Sequence, residues 1–220
     1  TWDAATKTTV TPNTWAFDAD GAVFGTHTMT DNNNSAALNL GSYINDTKGT
    51  ANGSFELTAT ISETTGSWLS LGFSVLNNPT VLQTSGSPAN FTSNGTDGIA
   101  TMIYLASGEI AAFAGPQTAN GSGNTAVQSG ARTFTISLDL TTHNGVDDFG
   151  SVVFSDSALG VIDSHSYASY QDFGSILLST ASGSTGTYSD LTLTQVPEPG
   201  SLALLGAGGL LIAARRRTVA

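Results

Sequence analysis

The sequence contains no cysteine. Thiol catalysis, cysteine-type zinc sites and a disulfide framework are therefore excluded. Charge is scarce too: 10% of the residues are Asp, Glu, Lys or Arg, against about 25% in ordinary soluble domains. Bases are the scarcest. Residues 1–196 hold 16 acids and only Lys7, Lys48 and Arg132 as bases, a balance of −13. Phosphate binding needs clustered Lys and Arg, so nucleic acid is excluded as a partner. A polyanionic substrate would need a bridging divalent cation for the same reason. Helix formers are thin, with two Met and six Lys plus Arg against 25 Gly. Long helices are not expected in the body of the chain.

What is abundant is Thr and Ser, about a quarter of the 220 residues. The apolar fraction of 39% still suffices for one core, and the length suits one domain. A surface rich in Thr, Ser, Asn and Gly but poor in Lys reads as that of an extracellular protein. A start at Thr1 is what a removed export signal leaves, and equally what a trimmed chain leaves. Asn-x-Ser/Thr sequons occur at Asn33, Asn45, Asn52, Asn90, Asn94 and Asn120.

The apolar residues follow the period of a strand. Phe55, Leu57, Ala59 and Ile61 alternate with Ser54, Glu56, Thr58 and Thr60. Phe134, Ile136, Leu138 and Leu140 alternate with Thr133, Thr135, Ser137 and Asp139. Each pattern predicts a half-buried strand. Residues 68–76 alternate less cleanly, and Gly72 inside them marks a bulge or a close backbone approach. Further strands are predicted at residues 15–17, 22–24, 99–105, 109–113, 152–154, 161–162, 173–178 and 188–194. Turns come at 18–21, 144–145 and 157–160, and polar loops at 84–98 and 115–130. This pattern predicts an all-β fold, an antiparallel β-sandwich over residues 1–195.

The composition changes abruptly after Gln195. Val196-Pro197-Glu198-Pro199 cannot continue a sheet interior, because both prolines lack a ladder donor. Residues 201–214 are almost wholly apolar, and Arg215, Arg216 and Arg217 follow at once. About 14 apolar residues fall short of the roughly 20 that span a bilayer comfortably, and snorkelling arginines narrow the gap. The arginine cluster predicts a cytoplasmic C-terminus, with the body outside. A hydrophobic helix is expected here.

The Pro-Glu-Pro motif, apolar stretch and terminal arginines, in that order, resemble the PEP-CTERM sorting signal of exported Gram-negative bacterial proteins. The resemblance covers residues 196–217. It implies an N-terminal signal peptide, transient anchoring in the inner membrane by the tail, and recognition by an exosortase. Processing near Pro197-Glu198-Pro199 and release to the cell surface or extracellular matrix would follow. It also implies an association with exopolysaccharide, flocs or biofilm. The body resembles concanavalin-like, laminin-G-type jelly rolls more loosely, through residues 54–75, 97–100 and 188–194.

The body carries few groupings of chemistry-bearing residues. Glycoside hydrolysis needs two facing carboxylates, yet Glu56, Glu63 and Glu109 have no acid at i+2 or i+4. A lyase would need grouped Arg, His and Tyr, and the body holds one arginine. His27, His143 and His165 lack metal-ligand spacing, and no Gly-x-Ser-x-Gly elbow occurs. No catalytic residue is therefore assigned. Calcium remains as a candidate cofactor, because Asp18 and Asp20 share one turn and Asp147 and Asp148 another. Asp20-Gly21 and Asn144-Gly145 are also ordinary turn chemistry. Among aromatics, Trp68 is expected in the core, and Tyr167 and Tyr170 in a polar loop are expected to be exposed for stacking on sugars. The reading that results is a non-enzymatic surface or matrix protein that adheres or self-associates. A calcium-dependent lectin is the alternative, and a glycan-active enzyme the weaker one.

Overall fold

The alternating segments fold as their pattern dictates. Phe55, Leu57, Ala59, Ile61, Phe134, Ile136 and Leu138 are completely buried, while the Thr and Ser residues between them face outward. The computed structural model describes residues 2–3, 8–9, 15–17, 28–30, 35–74, 100–114, 122–124, 128–180 and 184–196. Among these the strands are β1 (Trp2–Asp3), β2 (Thr8–Thr9), β3 (Trp15–Phe17), β4 (Thr28–Thr30) and β5 (Ser35–Asn39). A 3-10 turn (Asn45–Thr47) precedes β6 (Ser54–Thr65), β7 (Trp68–Ser74), β8 (Ala100–Leu105), β9 (Ile110–Ala114) and β10 (Ser122–Asn124). The chain continues through β11 (Arg132–Asp139), β12 (Ser151–Asp156), β13 (Gly160–Ser166), β14 (Ser175–Thr180) and β15 (Thr185–Gln195).

Two antiparallel sheets form the body. Sheet I has the order β10-β9-β8-β7-β14-β5-β3, and sheet II the order β13-β12-β11-β6-β15-β4. β1 and β2 pair separately. The chain crosses between the sheets after β3, β4, β5, β6, β10, β13 and β14. Late strands are thereby inserted beside early ones, with β14 between β7 and β5 and β15 between β6 and β4. This is a jelly-roll arrangement, in which no short loop joins the central partners.

The inner faces interdigitate to form the main core. Tyr104 of sheet I meets Phe134 of sheet II edge-on at 5.7 Å, and Tyr43 meets Phe55 at 5.6 Å. Such offset aromatic pairs add about 0.5–1.5 kcal/mol beyond their burial. Tyr188 also ties the sheets together. Its hydroxyl accepts the Ser70 N–H at 3.1 Å and donates to the Ser70 carbonyl at 2.9 Å. On the outside of sheet II, threonines pair across strands, Thr60 with Thr133 at 2.9 Å and Thr58 with Thr135 at 3.2 Å.

β7 alternates poorly because every residue in it is buried. Leu69, Leu71 and Phe73 enter the main core, while Trp68 joins a second apolar cluster with Ile103 and Leu177. A strand buried on both faces loses the polar half of its pattern. Gly72 is a close approach: a Cβ there would lie 2.5 Å from the Ala100 carbonyl oxygen.

Three expectations shift. β13 runs through Ser166, so part of the predicted polar loop is strand. β4 and β5 had no alternation to reveal them. The predicted loop at 115–130 contains β10. The expected strand at 22–24, the turn at 18–21 and the C-terminal hydrophobic helix lie outside the described residues. No helix among the described residues is long and apolar enough to cross a membrane.

Candidate functional site

The site candidates collect at the end of the sandwich where β15 finishes. There Ser54 pairs with Asp139, Asp139 with Ser151, Ser151 with Ser166, and Gln195 with Phe55. The stretches 41–53, 139–150 and 167–174 therefore share one end. Gly49 N–H donates to the Leu140 carbonyl at 2.8 Å and joins the first two. Asn45 joins the first and third. Its amide nitrogen donates to the Asp172 carboxylate, and its Oδ1 accepts the Phe173 N–H at 3.1 Å. This uses both ends of the Asn45 amide, so that sequon is engaged in the fold, whereas Asn52 is exposed.

Lys48 also joins the first stretch to the third. Its ammonium donates to the Gln171 carbonyl and sits 3.9 Å from the Tyr170 ring centroid. A cation over an aromatic face is attracted by the ring quadrupole. The His143 ring meets Tyr170 edge-on at 5.7 Å and Phe149 at 5.9 Å. Among the described residues, His143 Nε2 is buried without a hydrogen-bond partner.

The two tyrosines expected to stack on sugars separate. Tyr170 is 48% exposed, though Lys48 occupies one of its faces. Tyr167 corrects the expectation, since it is 5% exposed and packs edge-on against Phe173 at 5.9 Å. Burial pushes its phenol well above the ordinary range. The cause is positional. Tyr167 N–H bonds to the Gly150 carbonyl at 2.9 Å, directly after β13, which turns its ring into the core.

The calcium candidates divide similarly. Asp18 and Asp20 lie outside the described residues. Asp147 and Asp148 lie in a loop organised by Asn144, whose Oδ1 accepts the N–H groups of Val146, Asp147 and Asp148 at 2.9–3.1 Å. Asp147 Oδ1 accepts from the Asn144 amide at 2.7 Å, and Asp148 Oδ1 from Gly150 N–H at 2.9 Å. The Gly150 N–H, helped by the Thr142 hydroxyl and the neighbouring His143, holds the Asp148 carboxyl below the usual carboxylate range. Among the described residues no three His, Asp or Glu side chains are grouped to hold a metal ion.

Of the glutamates, Glu109 Oε2 accepts from Ser107 Oγ at 2.9 Å in the β8–β9 turn. Glu56 lies on the outer face of sheet II between Ser137 and Thr194. Sequence spacing could not show its diagonal neighbour across the sheet, Asp139, whose Oδ1 accepts from Thr141.

Sequence reasoning also missed how the end of β15 is held. Gln195 is 8% exposed. Its Oε1 accepts from the Tyr43 hydroxyl at 3.2 Å, and its amide donates to the Asn52 carbonyl at 2.5 Å. The next residue, Val196, donates its N–H to the Ser54 carbonyl at 2.8 Å. No local pattern announces a glutamine clamped by residues more than 140 positions away.

No curated protein matches the chain in sequence. Solved structures resemble it at low identity. An alginate lyase is 12% identical with a TM-score of 0.49, over 77% of this chain and 80% of its own. A carbohydrate-binding module from Bacillus subtilis is 11% identical with a TM-score of 0.43, over 86% and 96%. A protein with a galectin-like fold, also from Bacillus subtilis, is 12% identical with a TM-score of 0.47, over 83% and 90%. The match by family lies in the tail: residues 195–217 carry a PEP-CTERM protein-sorting motif, and it begins on the last residue of the sandwich.

Proposed function

We propose that this is an exported protein of a Gram-negative bacterium that works at the cell surface or in the extracellular matrix without catalysis. In this reading residues 1–195 are the working sandwich and residues 196–220 the sorting segment. The supporting observation is the junction: the sorting motif starts at Gln195, where the last strand ends. The apolar run anchors the chain in the inner membrane, with Arg215, Arg216 and Arg217 on the cytoplasmic side. An exosortase then acts near Val196-Pro197-Glu198-Pro199 and frees the body. The freed body takes part in biofilm or floc material by adhesion, self-association or contact with exopolysaccharide. Its acidity supports this order of events. Asp46, Asp139, Asp147, Asp148 and Asp172 lie in the stretches at the tail-proximal end, and anionic headgroups repel such a surface. Retention then depends on the tail alone.

The test is intact mass and fractionation of the protein from its own cells. A body ending near Val196–Pro199 outside the membrane fraction is the expected result. A full-length chain that stays soluble without membrane would overturn the sorting reading.

A second reading is a lectin at the same end, supported by the half-exposed Tyr170, whose ring meets Lys48 and His143. It expects saturable sugar binding that Tyr170→Ala abolishes, and loss in EDTA if calcium takes part. Glycan-active chemistry through Glu56 would instead show turnover removed by Glu56→Gln.

A further inference from the structure

The clamp on Gln195 bears directly on processing. We propose that Tyr43 and Gln195 are positioning residues that control access to the sorting motif by holding the end of β15 in sheet II. This rests on the processing reading above.

A protease binds its substrate as an extended strand on both sides of the scissile bond. On the C-terminal side, residues 197–200 separate Val196 from the apolar run and span at most about 14 Å. On the N-terminal side there is no slack. Val196 N–H is bonded to Ser54 and the Gln195 side chain to Tyr43 and Asn52. Cleavage at Pro197-Glu198-Pro199 breaks one peptide bond, and water supplies the hydroxyl of the new carboxyl terminus and the proton of the new amine. Residues on the amino side must first leave β6 for that bond to enter a cleft. The clamp therefore sets the fraction of chains open to processing. Local opening of this kind is an equilibrium with its own free energy, separate from global unfolding.

Tyr43 makes the test clean because it lies outside the motif at 195–217. Tyr43→Phe removes the hydroxyl and keeps the ring packed on Phe55, so the fold is retained. Gln195→Ala removes both side-chain bonds. The experiment combines pulse-chase with intact mass in the protein's own cells and amide exchange at residues 193–196 of the purified full chain. Expected is a rise of about fivefold in both exchange and processing for Tyr43→Phe, the factor one ordinary hydrogen bond contributes, and a larger rise for Gln195→Ala. Faster exchange with unchanged processing overturns the clamp's role, and so does unchanged exchange. A wild-type chain that is never processed overturns the processing reading and this proposal with it. A processed wild type with unaffected variants overturns this proposal alone.

Discussion

Arg132 and Asp156 form a bidentate ion pair across β11 and β12, with the Asp156 side chain fully buried and that of Arg132 13% exposed. Arg132 is the sole arginine of residues 1–196. Asp156 Oδ1 also accepts the N–H groups of Ala158 and Leu159 at 2.9 Å, so the pair fixes the turn into β13. Removing one partner of a buried pair costs about 3–5 kcal/mol, because the other charge is stranded. Arg132→Met is expected to lose stability in this range, and Asp156→Leu more, since it also frees two turn amides. The double variant should lose less than the sum. Urea unfolding measures all three, and strict additivity would refute the pairing.

Gly72 gives a steric prediction. A methyl there would meet the Ala100 carbonyl oxygen and Thr101 Oγ1, each at 2.5 Å. Both sit on the neighbouring strand β8, so relief requires the sheet to shift. Gly72→Ala should cost about 1–3 kcal/mol as an overpacked site. An unchanged urea midpoint would show that the strands have room.

Tyr167 and Tyr170 should respond oppositely. Tyr167→Ala empties a buried aromatic site and should cost about 3–5 kcal/mol. Tyr170→Ala, on the half-exposed residue, should stay within about 1 kcal/mol, the loss coming from the Lys48 contact. Thermal melts compare the two. Equal losses would contradict their burial.

Asp148 carries a pH dependence of defined sign. Its carboxyl is held below the usual range by Gly150, Thr142 and His143. A group with a lowered folded pKa stabilises above its unfolded value, about 3.9. That contribution is lost as pH falls through the depressed value. The Gly150 amide resonance should therefore titrate with a midpoint below that of an ordinary aspartate, and Asp148→Asn should remove the transition. A midpoint at or above about 4 would overturn the assignment.

Much of the sandwich was legible where one face is wet. β6 and β11 are central strands of sheet II with a solvated outer side, so their burial repeats every two residues in the sequence. β7 was harder to read because Trp68, Ser70 and Gly72 are buried on its outer side as well. The site was less legible. Asn144 and Gly145 signalled a turn, but nothing local said that the Asn144 side chain would hold three amides of that loop.

The sequence alone determined the wet and dry faces of the central strands and the sorting motif, because alternation and motif order are properties of neighbouring residues. The tertiary structure decided that Tyr167 turns inward while Tyr170, three residues later, meets Lys48. It also decided that Gln195 is held by Tyr43 and Asn52, and that Arg132 finds Asp156. These outcomes depend on which distant strands become neighbours. Sheet register sets that, and register is settled only when both apolar faces close on one core.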